Sequence, residues 1–316
     1  MKVTEHLANA KSPLISYEII PPKRGGDIKQ LFKVIEELLT YNPPFIDVTS
    51  HAAEVEYRET PQGIKKRIKR KRPGTIGISV AIKNHFNIDT VPHILCKGFT
   101  REETEDALIE LNYLGIENVL AIRGDDLGYE KEIPDHKTAN VYAYELVEQV
   151  TKMNQGKYLE EDLLDAMPTD FCIGVSGYPE KHIETPNMKI EVDRAKKKIE
   201  AGGHYIVTQM FYENKFYFDF VKSCRAAGIE CPIIPGLKVI TTKKHLQGLP
   251  KHFFINIPEE LSNEILEAKD EHVLEIGAAW AAKQARDLLD NGAPSLHFYI
   301  MQSSKPIKKM FEFLKL

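Results

Sequence analysis

The sequence lacks the features that would place a protein in a membrane, outside the cell or on nucleic acid. It contains no apolar run of about 20 residues, the length that a membrane-spanning helix needs. Residues 1–11 lack the apolar segment of a signal peptide. The net charge is −4, so no overall positive charge favours nucleic acid or an anionic lipid surface. We therefore expect a cytoplasmic protein that binds neither a membrane nor nucleic acid.

Motifs typical of a metal site or a nucleotide site are also absent. The four cysteines form no CxxC pair and show no Cys/His spacing of a zinc site, so we expect reduced thiols and no metal. No GxGxxG or GxxxxGK segment follows a strand-like segment, which disfavours a doubly wound nucleotide-binding sheet. The cysteines are Cys96, Cys172, Cys224 and Cys231.

The sequence does contain a regular alternation of strand-like and helix-like segments from one end to the other. Apolar, β-branched segments predict eight strands, and the amphipathic segments between them predict helices. Strands that alternate with helices form a parallel sheet, and a (β/α)8 barrel typically needs about 250 residues. The predicted strands are residues 15–20, 45–50, 90–96, 117–126, 171–179, 204–212, 231–237 and 295–302.

These segments predict an α/β fold, a single (β/α)8 TIM barrel over residues 1–316 without a regulatory domain. An insertion at about residues 243–270, between the seventh and eighth strands, contains a helical segment. A doubly wound open sheet is the alternative fold. The run Lys65–Arg72 has seven basic residues in eight but no aromatic residue. We interpret it as a solvated crossover that could attract an anionic substrate, and not as a nucleic-acid site.

Glu18 is an unusual residue for its surroundings. It lies in ISYEIIPP, an otherwise apolar and aromatic run with the composition of a strand, which the two prolines end at once. A carboxylate there is either turned to solvent or held in a low-dielectric pocket. In a pocket, desolvation raises its pKa and makes it a proton donor near neutral pH. The strand position alone favours the solvated edge.

Polar residues at the predicted strand ends would converge, because the strands of a βα barrel open onto one shared mouth. Each has an ordinary explanation by itself, such as a turn for Asp125, a core position for His93 or backbone pairing for Gln209. Together they suit a polar, planar, partly anionic ligand and one proton-transfer step. The set includes Glu18, Thr49, Ser50, His93, Arg123, Gly124, Asp125, Tyr178, His182, Gln209 and Tyr299.

The segment SYEIIPPK, residues 16–23, resembles the opening motif of the methylenetetrahydrofolate reductases. The resemblance continues in order through FIDVTS, PHILC, VLAIRGD, GYPEKH, KIEAGGHYIVTQMFY, CPIIPG and LHFY, from about residue 14 to about residue 302. It implies a (β/α)8 barrel that holds non-covalent FAD at the strand ends. The flavin would take hydride from NADH or NADPH and reduce 5,10-methylenetetrahydrofolate to 5-methyltetrahydrofolate, a step of one-carbon metabolism.

The resemblance also implies roles for individual residues, and we further expect a homo-oligomer. Glu18 and Asp125 would be catalytic. Glu18 would be the general acid that protonates the pterin nitrogen, and Asp125 would lie between pterin and flavin. Both would bind the substrate together with Gln209 and Tyr299. The FAD-binding residues would be Thr49, Ser50, Ala52, His93, Arg123, Gly124, Asp125, Tyr142, Ala143, Tyr178, His182 and Lys198.

Two loops depart from the family pattern. Residues 237–243 lack the usual apolar-proline segment and the aromatic residue after it, and residues 300–303 lack the usual arginine. The electron donor and the contacts to the folate tail therefore stay open. One alternative is another flavin-dependent barrel oxidoreductase, such as a proline-dehydrogenase-like enzyme. The other is a folate- or flavin-binding subunit that depends on a protein electron donor.

Overall fold

The computed structural model describes residues 1–124 and 131–314, in which a parallel sheet curves into a nearly closed barrel surrounded by helices. The strands are β1 (Leu14–Ile19), β2 (Phe45–Val48), β3 (Glu54–Thr60), β4 (Gly63–Lys69), β5 (Asp89–Leu95), β6 (Asn118–Ile122), β7 (Cys172–Gly177), β8 (Tyr205–Thr208), β9 (Ile233–Ile234), β10 (Gly236–Leu237) and β11 (Ser295–Met301). The α-helices are α1 (Val3–Asn9), α2 (Ile28–Leu38), α3 (Thr75–Phe86), α4 (Arg101–Tyr113), α5 (Ala143–Met153), α6 (Met188–Glu200), α7 (Asn214–Ala226), α8 (His245–Phe253), α9 (Glu259–Glu267), α10 (Val273–Asp290) and α11 (Lys305–Leu314).

The barrel closes because residues 233–237 pair with a different neighbour along each half. β9 pairs with β8, β10 pairs with β11, and Pro235 separates the two because proline has no backbone N–H. The carbonyl of Pro235 still accepts a hydrogen bond of 3.0 Å from the N–H of His297. The strand order β10-β11-β1-β2-β5-β6-β7-β8-β9 thus returns to the segment where it began. The predicted (β/α)8 barrel is confirmed, and the doubly wound alternative is wrong.

Helix α1 fills the amino-terminal end of the barrel, although no pattern in the sequence predicted it. Val3 and Leu7 pack in the interior with Phe45 and Val91, which lie on β2 and β5. The N–H of Val3 donates a hydrogen bond of 2.8 Å to the side-chain oxygen of Asn118, which ties α1 to the start of β6. This end of the barrel is therefore filled mainly by apolar side chains, and the predicted site residues lie towards the opposite end.

The basic run forms a β-hairpin, which the sequence analysis did not anticipate. β3 and β4 pair antiparallel, and the side chains of the basic strand β4 are exposed, as expected for a solvated segment. Lys69 and Lys71 form ion pairs with Glu56 at 2.6 Å and Glu54 at 3.3 Å. Arg70 differs from its neighbours, because it turns towards the mouth and donates a hydrogen bond of 2.7 Å to the carbonyl of His51.

The predicted insertion lies between strands β10 and β11 and contains helices α8 and α9. Helix α10 then leads into β11. Gly277 of α10 lies against the backbone that follows β10, where an added Cβ would be 2.0 Å from the carbonyl oxygen of Ile240. The absence of a side chain at Gly277 is thus what lets α10 approach the loop at the mouth.

Gly277→Ala is therefore expected to lower the free energy of unfolding by about 2 kcal/mol, because the helix or the loop must move away. Gly248→Ala is the matched control, since Gly248 also lies within a helix but an added Cβ would meet nothing within 4 Å. That control is expected to stabilise by about 0.5–1 kcal/mol, the usual helix-propensity gain. Chemical denaturation of both variants checks the pair, and equal stabilities would contradict the close approach at Gly277.

Candidate active site

Glu18 lies at the mouth of the barrel, one residue before the end of β1. In the sheet it stands beside Asp47 of β2 on one side and Tyr299 of β11 on the other. Its side chain is 15% exposed, so it lies mainly inside the barrel and not at a solvated strand edge. Of the two settings that the sequence allowed, the structure has the low-dielectric one. The raised pKa and the proton-donor role stay predictions.

Glu18, His93 and Asp47 form a buried group of two carboxyls around one imidazole, which we call the carboxyl–imidazole cluster. His93 Nε2 lies 3.6 Å from Glu18 Oε2 and 3.4 Å from Asp47 Oδ2. Asp47 is 1% exposed, and desolvation of its charged form raises its pKa to about 7. Burial likewise lowers the pKa of His93, against the opposing effect of Glu18. A proton in this cluster is therefore exchangeable near neutral pH.

A second polar pair lies one layer deeper in the barrel. Ser16 Oγ and His297 Nδ1 are joined by a hydrogen bond of 2.8 Å, and both residues are buried. Burial lowers the pKa of His297, although the nearby Asp47 opposes this effect. We therefore expect His297 to be neutral at physiological pH, held in place by Ser16 beneath the carboxyl–imidazole cluster.

Tyr299 crosses the interior of the barrel beside Glu18. Its hydroxyl donates a hydrogen bond of 2.6 Å to the carbonyl of Thr208, which joins β11 to β8. Gly236 makes room for the ring, because an added Cβ there would lie 2.7 Å from the ring and 2.1 Å from the Thr208 carbonyl oxygen. Since the hydroxyl already has an acceptor, the ring face is the part of Tyr299 that a substrate would contact.

Lys238 brings a positive charge to the same mouth, in one of the loops that depart from the family pattern. Its ammonium group donates a hydrogen bond of 3.2 Å to the carbonyl of Tyr299. Burial lowers the pKa of Lys238, and the negative charge of Glu18 acts in the opposite direction. The lysine therefore lies close enough to Glu18 for the two groups to influence each other's protonation.

Five predicted FAD-binding residues form a second group, which we call the cationic–aromatic cluster: Arg123, Tyr142, Tyr178, His182 and Lys198. The Arg123 guanidinium lies 5.5 Å from the centre of the Tyr142 ring, and the Lys198 ammonium lies 5.9 Å from the centre of the Tyr178 ring. The rings of Tyr178 and His182 meet edge to face at 4.9 Å. The structure thus brings together residues that are up to 75 positions apart in the sequence, from Arg123 to Lys198.

The cations of this cluster are buried or partly buried, and their pairing is incomplete. Lys198 is 7% exposed, and desolvation lowers its pKa to about 8. Burial also lowers the pKa of His182. Arg123 forms an ion pair with Glu184, but its buried Nε donates to no acceptor among the described residues. Buried cations of this kind are stabilised by an anionic ligand such as a phosphate group.

Two glutamates fix the loops that hold this cluster. The carboxylate of Glu145 accepts a hydrogen bond of 3.1 Å from the N–H of Tyr142, so it caps α5 and fixes Tyr142 and Ala143 at the helix start. The buried carboxylate of Glu191 accepts a hydrogen bond of 3.0 Å from the N–H of His182. These contacts position the loops after β6 and β7 without contributing side chains to the mouth itself.

The loop after β2 lies on the other side of the mouth and contains Thr49, Ser50 and Ala52. The buried hydroxyl of Thr49 has no hydrogen-bond partner among the described residues, and Ser50 accepts a hydrogen bond of 3.3 Å from Arg70. Ala52 packs against Gly98, where an added Cβ would lie 2.8 Å from the Ala52 Cβ. A cavity of about 380 Å³ opens beside this loop. Its lining includes Ser50, Arg70, Gly74, Thr75, His93, Leu95, Gly98 and Phe99.

The remaining predicted residues lie at the ends of β6 and β8. Gln209 follows β8, and its side-chain oxygen accepts a hydrogen bond of 2.9 Å from the N–H of Met210. The amide NH₂ of Gln209 then remains as the group that can donate to a ligand. Gly124 adopts a left-handed conformation with φ +88°, which favours glycine. Asp125, predicted to be catalytic, lies outside the described residues.

A parallel barrel with a buried acid–base cluster and a cationic–aromatic cluster at one mouth places the chain in a class, the (β/α)8 barrels with a polar site at the strand ends. Within this class, a sequence profile of methylenetetrahydrofolate reductase matches residues 2–315. The chain therefore belongs to the methylenetetrahydrofolate reductase family.

Individual relatives agree with this assignment. Methylenetetrahydrofolate reductase 1 of Schizosaccharomyces pombe is 30% identical over 322 residues, which cover 100% of this chain and 49% of that protein. Methylenetetrahydrofolate reductase (NADH) 1 of Arabidopsis thaliana is 30% identical over 301 residues, which cover 92% of this chain and 46% of that protein. The chain thus spans about half the length of these relatives. The 5,10-methylenetetrahydrofolate reductase of Pectobacterium carotovorum is 26% identical and is matched over 86% of its length.

A solved structure has the same fold. It is an uncharacterised protein from Clostridium thermocellum that binds two copies of 5-methyl-5,6,7,8-tetrahydrofolic acid. The TM-score is 0.58 over 98% of this chain and 97% of that one, at 16% sequence identity. At this identity the likeness supports the barrel fold alone.

Three residues of the mouth were missed as site residues by the sequence analysis: Asp47, Arg70 and Lys238. Asp47 carries the same signal as Glu18, a carboxylate in a short apolar strand. Lys238 was visible as part of a departure from the family pattern. Arg70 was hidden in the basic run, and only the hairpin distinguishes it from its exposed neighbours.

Proposed function

We propose that the chain is a flavin-dependent oxidoreductase that reduces 5,10-methylenetetrahydrofolate to 5-methyltetrahydrofolate with NADH or NADPH as the reductant. The observation that carries the proposal is the position of Glu18, mainly buried at the barrel mouth of a chain that belongs to this family. The family match argues against the proline-dehydrogenase-like alternative.

The residues at the mouth fit FAD as the cofactor. The partly unpaired cations of the cationic–aromatic cluster suit its pyrophosphate, and the tyrosine rings suit its aromatic parts. The orphaned hydroxyl of Thr49 and the cavity beside it suit a planar ring with polar edges. Bound FAD would supply hydride transfer from the nicotinamide to the folate. The residues that would hold it are Thr49, Ser50, Ala52, His93, Arg123, Gly124, Asp125, Tyr142, Ala143, Tyr178, His182 and Lys198.

Glu18 supplies the proton in this proposal. Opening the five-membered ring of methylenetetrahydrofolate requires protonation of a ring nitrogen, and a mainly buried carboxyl is suited to hold that proton near neutral pH. Gln209 would bind the pterin edge through its amide NH₂, and Tyr299 would contact the ring system with its own ring. Asp125, outside the described residues, keeps the predicted role between pterin and flavin.

The test is a pair of anaerobic half-reactions on the purified protein. We expect a yellow protein whose flavin is bleached by NADH or NADPH and recovers its absorbance when methylenetetrahydrofolate is added. Stopped-flow measurement with each nucleotide identifies the donor. A protein that takes up no FAD would contradict the proposal. Flavin that is reduced only by a protein donor would favour the alternative of a donor-dependent subunit.

We further propose that residues 1–316 act as one barrel domain in a cytoplasmic homo-oligomer. The cysteines are compatible with the proposed compartment, because all four are free thiols in the structure. In the described part of the chain, no helix is both long and apolar enough to cross a membrane. The hairpin offers a face for self-association, because three exposed apolar side chains, Tyr57, Ile64 and Ile68, lie on one side of it, together with the charged Glu59 and Lys66. Light scattering after size exclusion measures the mass, and a monomer would contradict this part of the proposal.

A further inference from the structure

Asp47 is a buried carboxyl that the proposed reaction leaves without a task. Neither of its oxygens accepts a hydrogen bond from a described residue, and His93 Nε2, which also has no hydrogen-bond partner among those residues, lies 3.4 Å away. Burying a carboxyl with so few partners is unfavourable, and an apolar residue would fill the same space without that cost. Its position therefore calls for an explanation beyond packing.

We propose that Asp47 is a positioning residue that shares one proton with Glu18 across the imidazole of His93, and so keeps a proton available to Glu18 at neutral pH. The inference rests on the proposed function, in which Glu18 is the acid. His93 Nε2 faces both carboxyls, at 3.4 Å from Asp47 and 3.6 Å from Glu18. One ring nitrogen can serve only one of them at a time. Leaving both carboxyls ionised would place two like charges in a buried site, so one proton stays with the pair.

The proton moves between these groups without a further reactant. A proton on Asp47 Oδ2 passes to the lone pair of His93 Nε2, and from there to Glu18 Oε2. Asp47 is then the carboxylate, and His93 is neutral again. Glu18 gives the proton to the substrate nitrogen, and water returns one proton to the cluster when the mouth opens. The raised pKa of Asp47, about 7, agrees with a group that holds this proton at rest.

Four other titratable groups surround the cluster. One is a cation that favours the ionised form of Glu18, and the other three are neutral at physiological pH. Lys238, from the loop after β10, is the cation that acts on Glu18 and favours its ionised form. His297 of β11 has a pKa lowered by burial. Tyr205 of β8 and Tyr299 of β11 have pKa values raised well above 10 and so are neutral phenols. In our proposal, Asp47 opposes the ionisation of Glu18, because the two carboxyls face the same nitrogen of His93.

Asp47→Asn tests the inference through the pH dependence of the folate half-reaction. Removing the second carboxyl lowers the pKa of Glu18, so the alkaline limb of the profile should move down by about one pH unit. At neutral pH, the folate half-reaction should slow about tenfold, while flavin reduction by the nucleotide stays unchanged. Ser295→Ala is the matched control, because Ser295 on β11 is, like Asp47 on β2, a buried polar residue whose side chain has no hydrogen-bond partner among the described residues. It should change neither the pH profile nor the rate.

Asp47→Leu repeats the test with an apolar side chain, in case the buried amide of asparagine prevents folding. Unchanged pH profiles in the folded variants would overturn the inference. If the wild-type protein reduced no folate at any pH, the proposed function would fail instead, and the shared proton would still be testable by spectroscopy.

Infrared spectroscopy provides that independent readout. A protonated-carboxyl band should be present at pH 6–7, and Asp47→Asn and Glu18→Gln should each lower the pH at which the remaining carboxyl loses its proton. The measurement is best made in a Glu180→Gln background, because burial also raises the pKa of Glu180 to about 7. If the band is missing, or if it is insensitive to Glu18→Gln, the two carboxyls do not share a proton and the inference is wrong.

Discussion

Glu18→Gln is expected to slow the reduction of methylenetetrahydrofolate by about 10²–10⁴-fold while the flavin is still reduced by the nucleotide at a near-normal rate. The substitution keeps the size of the side chain at the mouth but removes the acidic proton. Since hydride transfer from the nucleotide needs no proton from this residue, only the folate half-reaction should suffer. Single-turnover kinetics of the two half-reactions separate these effects.

The matched control is Glu200→Gln, which makes the same change at an exposed position of α6. Glu200 forms a surface ion pair with Lys196, at 3.7 Å, and such pairs contribute little. The control should therefore keep both half-reactions. If Glu18→Gln turned over the folate at a near-normal rate, Glu18 would not be the acid, and another group of the mouth would have to supply the proton.

The barrel fold could be predicted from the sequence because it follows from local patterns. Each buried strand is a short apolar run. Each helix between strands has an apolar face and residues that mark where the helix begins and ends. Thr100 and Glu103, for example, form a capping box at the start of α4, with reciprocal hydrogen bonds of 3.2 Å and 2.9 Å, and the spacing of the two residues is visible in the sequence. Such signals lie within a few residues of one another, so the sequence alone contains them.

Glu18 and His93 were predicted to meet at the mouth, but the inclusion of Asp47 in the carboxyl–imidazole cluster was not, because it depends on how the strands lie side by side. All four residues of β2 are buried, so no alternation of polar and apolar residues shows that Asp47 points inward. His93 lies 46 positions later in the chain. Only the parallel pairing of β1, β2 and β5 brings Nε2 of His93 within 4 Å of both Glu18 and Asp47.

Arg70 of the basic run and Lys238 of the loop after β10 are two further residues whose positions at the mouth could not be predicted from local sequence patterns. Seven basic residues in eight look alike in the sequence, yet in the structure Arg70 contacts the mouth while residues 65–68 are exposed. Lys238 replaces an apolar residue of the family pattern, and only the fold places it near Glu18. Residues in irregular loops gain their roles from tertiary contacts that local patterns do not contain.

Lys198→Met is expected to stabilise the FAD-free protein by about 1–2 kcal/mol at pH 7 and to weaken FAD binding by about 10–100-fold. Lys198 is buried, and the fall of its pKa from 10.5 to about 8 corresponds to roughly 3 kcal/mol of unfavourable desolvation. Loss of its hydrogen bond to the carbonyl of Ser176 offsets part of the gain, by about 1–1.5 kcal/mol. A charge-assisted hydrogen bond to phosphate contributes about 1.5–3 kcal/mol, which gives the expected loss of affinity.

The change of stability with pH distinguishes loss of the buried charge from a simple packing defect. Between pH 8 and 10.5 the unfolded chain binds a proton at this lysine that the folded chain has released, so the FAD-free protein becomes more stable as the pH rises through this window. Lys198→Met should abolish that contribution, whereas Lys196→Met, an exposed lysine of the same helix, should leave it in place. Urea denaturation at several pH values and a fluorescence titration with FAD measure both effects. A variant that is destabilised at pH 7 and binds FAD normally would show that Lys198 holds the loop together and does not hold the cofactor.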